Sequence, residues 1–530
     1  MFAKGHQHHI SMLTTNKSKP MLNITTYFLD ENIVQGRGER IAVYYKNKSY
    51  TYNQICEQTN RVGNALKTLG VEPENRVYIV LSDSPEFVAS FYGVIKTGAI
   101  ATYAYTFLKP KDYAAELNLI RPKVVITDES AIDALREAAA NIRFPKSFLV
   151  VGRSDLRKNE FDFQRLTAEA ARELEPEPTS KDDIALWKFS GGTTGVRKAV
   201  PHRHENVVFA YESYNKIIDY RQDDIVLSVP KMFFGYGRDG TIVFPFRAGA
   251  AAVLYPERFS QEIFFNLINK YRPTILVQVP TAMRKILQAP MDKFPDLSSI
   301  RLCTSAGEAL SKELYNEWKM KTGCEVLDGI GSAEMYYVYI SNRLNDIKPG
   351  TLGKVVSGYD AKIVDEGGKE LSDGEIGVLA AKGGSSGNEY YHLREKTQQT
   401  FRGEWVHTDD LFSKDKEGYF RFAGRRDDLL KVSGIFISPY EIEKCIEMHE
   451  EVSECAVVGI EDKDRLIKSK AFVRLSHGIK PSAQKAEAIK SHCKKKLSPY
   501  KFPRFVEFME ELPKTSLGKI DRRRLKEKGI

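Results

Sequence analysis

Apolar and polar positions alternate between two rhythms over residues 50 to 130. YTYNQICEQTNRVGNALKTLG reads as an amphipathic helix closed by Gly70, and RVYIVL as a buried strand. FVASFYGVIKTG repeats the helix-then-glycine pattern, and PKVVITD gives another apolar strand. Alternation of this kind predicts α/β layers with parallel strands. It returns between 205 and 330, where TILVQVP and IRLCTSAG read as strands and SKELYNEWKMKTG as a helix leading to CEVLDGIG. From 350 to 425 the pattern changes to short strands with frequent glycine, as in GTLGKVVSGYDAKIVDEGG and GEIGVLAAK, which predicts a small β-rich unit. GRRDDLLK (424–431) then reads as a linker. Beyond it, Ser438-Pro439-Tyr440-Glu441 predicts a capped helix start. CAVVGIE and KAFVRL follow as strands, then a helix over 483–497, then RFVEFME. The expected class is α/β: a large N-terminal region of layered sheets with a small β-barrel-like unit, plus a small mobile α+β domain. The expected boundaries are an extension over 1–24, a main domain over 25–426 and the mobile domain over 427–530.

Composition narrows the function classes. The 530 residues carry 42% hydrophobic and 28% charged positions, ordinary values for a soluble protein. No uncharged apolar run is long enough for a membrane span, and the N-terminus lacks a signal-peptide core. His6, His8 and His9 read as a tail rather than a metal clip. The six cysteines show no CxxC spacing, which argues against zinc and fits reduced thiols in a cytoplasm. The net charge of +9 is concentrated late, as in DRRRLKEK. Without a nucleic-acid motif it reads as solvated surface, with a polyanionic cofactor as the alternative.

FSGGTTGVRKAV (189–200) is the first stretch with candidate chemistry. Backbone N–H groups of a glycine-rich turn can converge on anionic oxygens, with hydroxyl donors from Ser190, Thr193 and Thr194 and a charge from Lys198. The Walker pattern would run through Gly-Lys-Ser/Thr directly into a helix. Here RKAVPHR reads as a strand, so the loop is expected between two strands. Alone it serves equally as an ordinary surface turn.

Five further stretches share its order and spacing with one family. TSAGEAL (304–310), DGIGSAE (328–334), WVHTDDL (405–411), GRRDDLLKVSG (424–434) and PKTSLGKIDRRRL (513–525) accompany SGGTTGVRK. From about residue 25 onward the chain resembles the adenylate-forming superfamily of acyl-CoA synthetases, luciferases and adenylation domains. KMFFGYG with DGIGSAEM resembles the benzoate-CoA ligases and related aromatic or alicyclic acid ligases most.

The resemblance implies ATP, Mg²⁺ and coenzyme A together with a small carboxylate. Nucleotide contacts would come from Ser190, Gly191, Gly192, Thr193, Thr194, Gly195 and Lys198 in the phosphate loop. Ala306, Gly307 and Glu308 would face adenine, followed by Asp328, Gly329, Ile330, Gly331 and Ser332. Asp410, helped by Arg425, would bind ribose. Glu334 would be the metal ligand, a hard oxygen donor suited to Mg²⁺. Lys519 would stabilise the α-phosphate during adenylation, where two anions must meet. Asp427 would be the hinge, and Ser433 and Gly434 would line the CoA tunnel. Gly235, Tyr236, Ala306, Gly331, Tyr337 and Val338 would form the acyl pocket, the small residues leaving room for a flat ring and Tyr236 giving an aromatic wall.

Departures from the family pattern are Arg197 for proline, Ala333 for threonine or serine, Asp409 for glycine, and Tyr337 where benzoate ligases commonly have histidine. Arg197 is expected either to contact phosphate or to face solvent. A ring carboxylate is the favoured substrate and a short or medium fatty acid the runner-up. A luciferase-like oxygenase, an adenylation enzyme loading a carrier protein and a silent nucleotide sensor are the competing functions. Intact Lys519, Glu334 and Asp410 argue against the sensor. Monomer and homodimer stay open.

Overall fold

The computed structural model describes residues 21–190, 197–290, 293–426, 430–432, 435–461, 467–497, 502–514 and 520–528. The chain forms two compact units. One takes in the chain up to Asp360 together with Ala381–Val406; the other takes in Ala361–Ala380 and His407 onward.

Two large sheets dominate the first unit. A seven-stranded sheet runs in the order Glu160–Asp162, Ser147–Val151, Val124–Asp128, Arg76–Val80, Ile100–Tyr103, Ile184–Ser190, Lys198–Arg203. Its strands are parallel except for the last pair. A nine-stranded sheet has a parallel centre and antiparallel ends; Val226, Ile275, Leu302 and Val326 lie on its central strands. These strands read as continuous apolar runs because parallel sheets are covered on both faces.

The helix Tyr52–Thr68 starts where expected. Thr51 caps it with a reciprocal Gln54 bond, and Gly70 at φ +75° follows its end. It packs on Pro85–Lys96, a mostly apolar helix in which every residue but Glu86 is buried. Glycine is needed at that crossing: a Cβ on Gly93 would stand 2.8 Å from the Thr59 carbonyl.

In the second unit the part of strand Trp405–Lys414 from Asp410 onward pairs antiparallel with Phe420–Arg425, one of the short-strand pairs predicted for this region. The C-terminal part is the expected α+β arrangement. Val452–Glu461, Ile467–Leu475 and Phe505–Phe508 form a three-stranded sheet. Ile442, Ile446, Val457, Val473 and Ile489 make its core with helices Pro439–Glu447 and Ala483–Lys496. One local expectation fails. The helix begins at Pro439, but Ser438 makes no side-chain cap; its hydroxyl stands 2.7 Å from where a Gly424 Cβ would be. All six cysteines are buried and unbridged, and no metal-holding cluster of His, Cys, Asp and Glu occurs among the described residues. No helix among them is long and apolar enough to cross a membrane.

Candidate active site

The glycine-rich loop lies between strands, as its sequence predicts. Ile184–Ser190 and Lys198–Arg203 are antiparallel neighbours with Ser190 opposite Lys198. Gly191, Gly192, Thr193, Thr194 and Gly195 lie outside the described residues. Arg197 follows neither expectation for it. Its Nε and Nη2 bond both oxygens of Glu116 at 2.5 and 2.6 Å, and its guanidinium stacks over Phe189, 4.5 Å from the ring centroid. Glu116 also accepts from the Tyr78 hydroxyl and is 5% exposed. A bidentate pair this buried strongly penalises removal of one partner, by about 3–5 kcal/mol. The arginine that stands in place of a family proline is therefore an anchor for the loop's exit.

The segment 326–341 is a strand, a tight turn and an antiparallel return. Gly329, Ile330 and Gly331 pair with Ser341, Ile340 and Val338. Asp328 is buried at the same strand, and Ser332 Oγ accepts from the Met335 N–H at 3.2 Å. Glu334 is at the turn and 8% exposed. The Tyr390 hydroxyl donates to Glu334 Oε1 at 2.6 Å, and the Gly387 N–H donates to the Glu334 carbonyl at 2.8 Å. Lys198 Nζ is 3.4 Å from the Tyr390 oxygen and 4.6 Å from its ring centroid. The phosphate-loop lysine and the candidate metal ligand thus meet through Tyr390, a residue the sequence did not single out. His202 Nε2 donates to the Ala333 carbonyl at 2.7 Å. Burial lowers the pKa of this histidine to about 3, so it holds the turn as a neutral ring.

The expected adenine turn follows strand Leu302–Ser305. Gly307 adopts φ +85°, which glycine tolerates without strain. Glu308 Oε2 accepts from the Thr281 N–H and hydroxyl at 3.0 and 2.7 Å, tying the turn to helix Pro280–Leu287.

The acyl candidates cluster next to that strand. Tyr236 shares a hydrogen bond with Thr304 at 2.8 Å, two residues before Ala306. The Tyr236 and Tyr337 rings lie 5.7 Å apart at 31°, with Phe244 and Tyr214 edge-on to Tyr337. Tyr337 and Val338 are buried. The small residues do not simply leave empty room. A Cβ on Gly235 would meet Lys188 Nζ at 2.7 Å, and one on Gly331 would meet the Tyr337 carbonyl at 2.6 Å. Space attributed to the substrate ring at these two glycines is taken by the chain's own atoms.

Lys188, Asp239 and Arg238 form a fully buried charge cluster that sequence reading missed. Lys188 Nζ bonds Asp239 Oδ2 at 2.5 Å and donates to the Tyr336 carbonyl; Arg238 bonds Asp239 Oδ1 at 2.7 and 2.9 Å. Burial lowers the Lys188 pKa to about 8. The available signal was a lysine interrupting the apolar strand IALWKFS.

In the second unit Asp410 and Arg425 face each other as Cα partners, and the Asp410 N–H donates to Thr408 Oγ1 at 3.2 Å. Asp427, Ser433, Gly434 and Lys519 lie outside the described residues. The flanks of Lys519 are well held. Lys514 and Ile520 form an isolated antiparallel bridge, and Arg522 makes a bidentate pair with buried Glu443, both bonds at 2.8 Å.

The profile of AMP-binding enzymes matches residues 30–391, and that of the AMP-binding enzyme C-terminal domain matches 441–519. The chain belongs to the AMP-binding enzyme family. The family expected from the motifs, adenylate-forming acyl-CoA synthetases, is the family found, and with it the enzyme class, an acid–thiol ligase. The chain is 38% identical to a 4-hydroxybenzoate–CoA/benzoate–CoA ligase of Rhodopseudomonas palustris, over 95% of this chain and 94% of the relative. It is 37% identical to a benzoate–CoA ligase of Thauera aromatica, covering 95% of each. Among solved structures, an anthranilate CoA ligase in complex with anthranoyl-AMP superposes with a TM-score of 0.90 at 36% identity, covering 96% of this chain and 97% of that one. A benzoate CoA ligase from Burkholderia xenovorans LB400 gives 0.87 at 34% identity, covering 96% and 100%. ATP, CoA and a small carboxylate fit the family as substrates.

Proposed function

We propose that this enzyme is an ATP-dependent, AMP-forming carboxylate–CoA ligase acting on a benzoate-like aromatic or alicyclic acid. One observation supports the reading: Tyr236, an aromatic acyl candidate, shares a hydrogen bond with Thr304 on the strand that leads into the expected adenine turn. The two substrates of an adenylation must meet, and these groups of residues are neighbours. The names of the relatives, benzoate, hydroxybenzoate and anthranilate ligases, support the same acid class.

The chemistry follows from the leaving groups. A carboxylate cannot expel oxide, so its oxygen attacks the α-phosphorus of ATP and pyrophosphate leaves. The CoA thiolate then attacks the acyl carbon, and AMP leaves. Lys198 and the loop it closes would bind phosphate, Asp410 would accept from ribose hydroxyls, and Tyr236 and Tyr337 would orient the ring. Ser433 and Gly434 would guide the CoA thiol. Glu334 offers a single buried carboxylate, which suits Mg²⁺, an ion that commonly takes one or two protein carboxylates and fills its shell with phosphate oxygens and water. Bound there, Mg²⁺ would neutralise phosphate charge. Tyr390 would fix the orientation of Glu334. Tyr390→Phe is therefore expected to raise the Mg²⁺ concentration for half-maximal adenylation about tenfold. A titration unchanged within twofold would remove Tyr390 from that role.

The acid class is tested by kcat/KM across benzoate, cyclohexane- and cyclohexene-carboxylates, hexanoate and acetate. A ring acid is expected to rank first. A straight-chain acid ahead by more than about tenfold, roughly 1.4 kcal/mol in transition-state binding, would refute the ring reading.

A further inference from the structure

The buried cluster at Lys188 has an imbalance that the ring-acid reading does not use. Two cations, Lys188 and Arg238, share one carboxylate, Asp239, and the side chains are 5%, 0% and 0% exposed. The charged groups acting on Lys188 are Asp239 and Arg238, one attracting and one repelling. The neighbouring His202 is neutral. Buried charge is normally matched, since an excess charge without a partner is costly. The excess is located at the acyl candidates. Lys188 Nζ stands 2.7 Å from the position of a Gly235 Cβ, 3.7 Å from the Tyr336 ring centroid and 5.7 Å from that of Tyr337. An ammonium has three donors, and Asp239 and the Tyr336 carbonyl account for two. Tyr336 itself has φ +68°, a costly conformation for a bulky residue, and its carbonyl is aimed at the ammonium.

We infer that Lys188 is a specificity-determining residue of the acyl site, selecting ring acids that carry a second oxygen acceptor over the unsubstituted ring acid. The inference rests on the ring-acid reading above. The shared chemistry is an oxygen lone pair presented to the ammonium, from a ring hydroxyl or from a second carboxylate. Only the carboxylate would also balance the charge. Removing Lys188 leaves Asp239 in its paired contact with Arg238, so the cluster becomes neutral and the fold is expected to survive.

The test compares kcat/KM of the full chain for benzoate, 3- and 4-hydroxybenzoate, isophthalate and terephthalate, in the wild type and in Lys188→Met. The wild type is expected to prefer at least one oxygen-bearing acid to benzoate by about tenfold, the scale of one charge-assisted hydrogen bond. Lys188→Met is expected to lower that ratio about tenfold, mainly through KM. Lys188→Gln, which keeps a donor without the charge, serves if the methionine variant does not fold; it should lose a dicarboxylate preference and keep much of a hydroxyl preference. Benzoate preferred by the wild type, or a ratio within twofold in the variants, overturns the inference while leaving the ring-acid reading intact. Turnover of hexanoate with none of the five ring acids and neither cyclohexane- nor cyclohexene-carboxylate overturns both.

Discussion

Lys519→Ala is expected to reduce acyl-adenylate formation from ATP and acid by about a hundredfold or more, the scale of removing one preorganised charge-stabilising group. Thioester formation from a supplied acyl-adenylate should be largely spared. The reason is where charge develops. In the first step a carboxylate approaches an already anionic phosphate, and a cation at the α-phosphate offsets the repulsion. In the second a thiolate attacks a carbonyl and AMP departs, so the same cation is not required at the same place. The described residues on either side of the lysine are tied to their surroundings. Lys514 and Ile520 form a bridge, and the Asp521 N–H donates to the Pro513 carbonyl at 2.7 Å. Arg522 is paired with Glu443, whose Oε1 also accepts from the N–H of Val457, on the outer strand Val452–Glu461 of the three-stranded sheet, at 2.7 Å. Equal losses in the two half-reactions would refute a step-specific lysine.

Asp427→Pro is expected to do the reverse: adenylate formation persists substantially, and thioester formation falls by tenfold or more. With Lys519 in the role proposed for it, the two half-reactions would make contradictory demands on one site, the lysine being needed at the α-phosphate in the first and the thiol needing access in the second. The resemblance to adenylate-forming enzymes implies rotation of the C-terminal domain about Asp427. A hinge needs only a few residues that absorb a large backbone change. Proline fixes φ near −65° and restricts the preceding Arg426 as well. Rapid-quench measurement of each half-reaction decides the matter. Unimpaired thioester formation in the proline variant would end the hinge proposal.

Much of the fold was legible because its strands are short apolar runs with glycine or proline at their ends. Val124–Asp128, Ile275–Gln278 and Leu302–Ser305 are examples. The position of the glycine-rich loop between strands was legible for a related reason: the Pro201 stretch after it cannot begin as a Walker helix. What escaped the sequence depends on partners far apart along the chain. Arg197 finds Glu116 at a separation of 81 residues, and Lys188 finds Asp239 at 51. Tyr390 reaches Glu334 across 56. No local pattern marks such pairs. The failed cap at Ser438 is a tertiary override of a sound local signal, with the hydroxyl turned toward Gly424. The glycines of the acyl region are ambiguous in a different way. Their missing side chains are as consistent with room for a lysine or a carbonyl as with room for a substrate.

The measurement that tests the central claim most directly is AMP release by the purified chain with ATP and Mg²⁺, with carboxylate and free CoA supplied separately and together. Sustained, stoichiometric formation of AMP, pyrophosphate and acyl-CoA only when a ring carboxylate and CoA are both present is the predicted result. Formation of ADP, or sustained AMP release that ignores CoA, would contradict it.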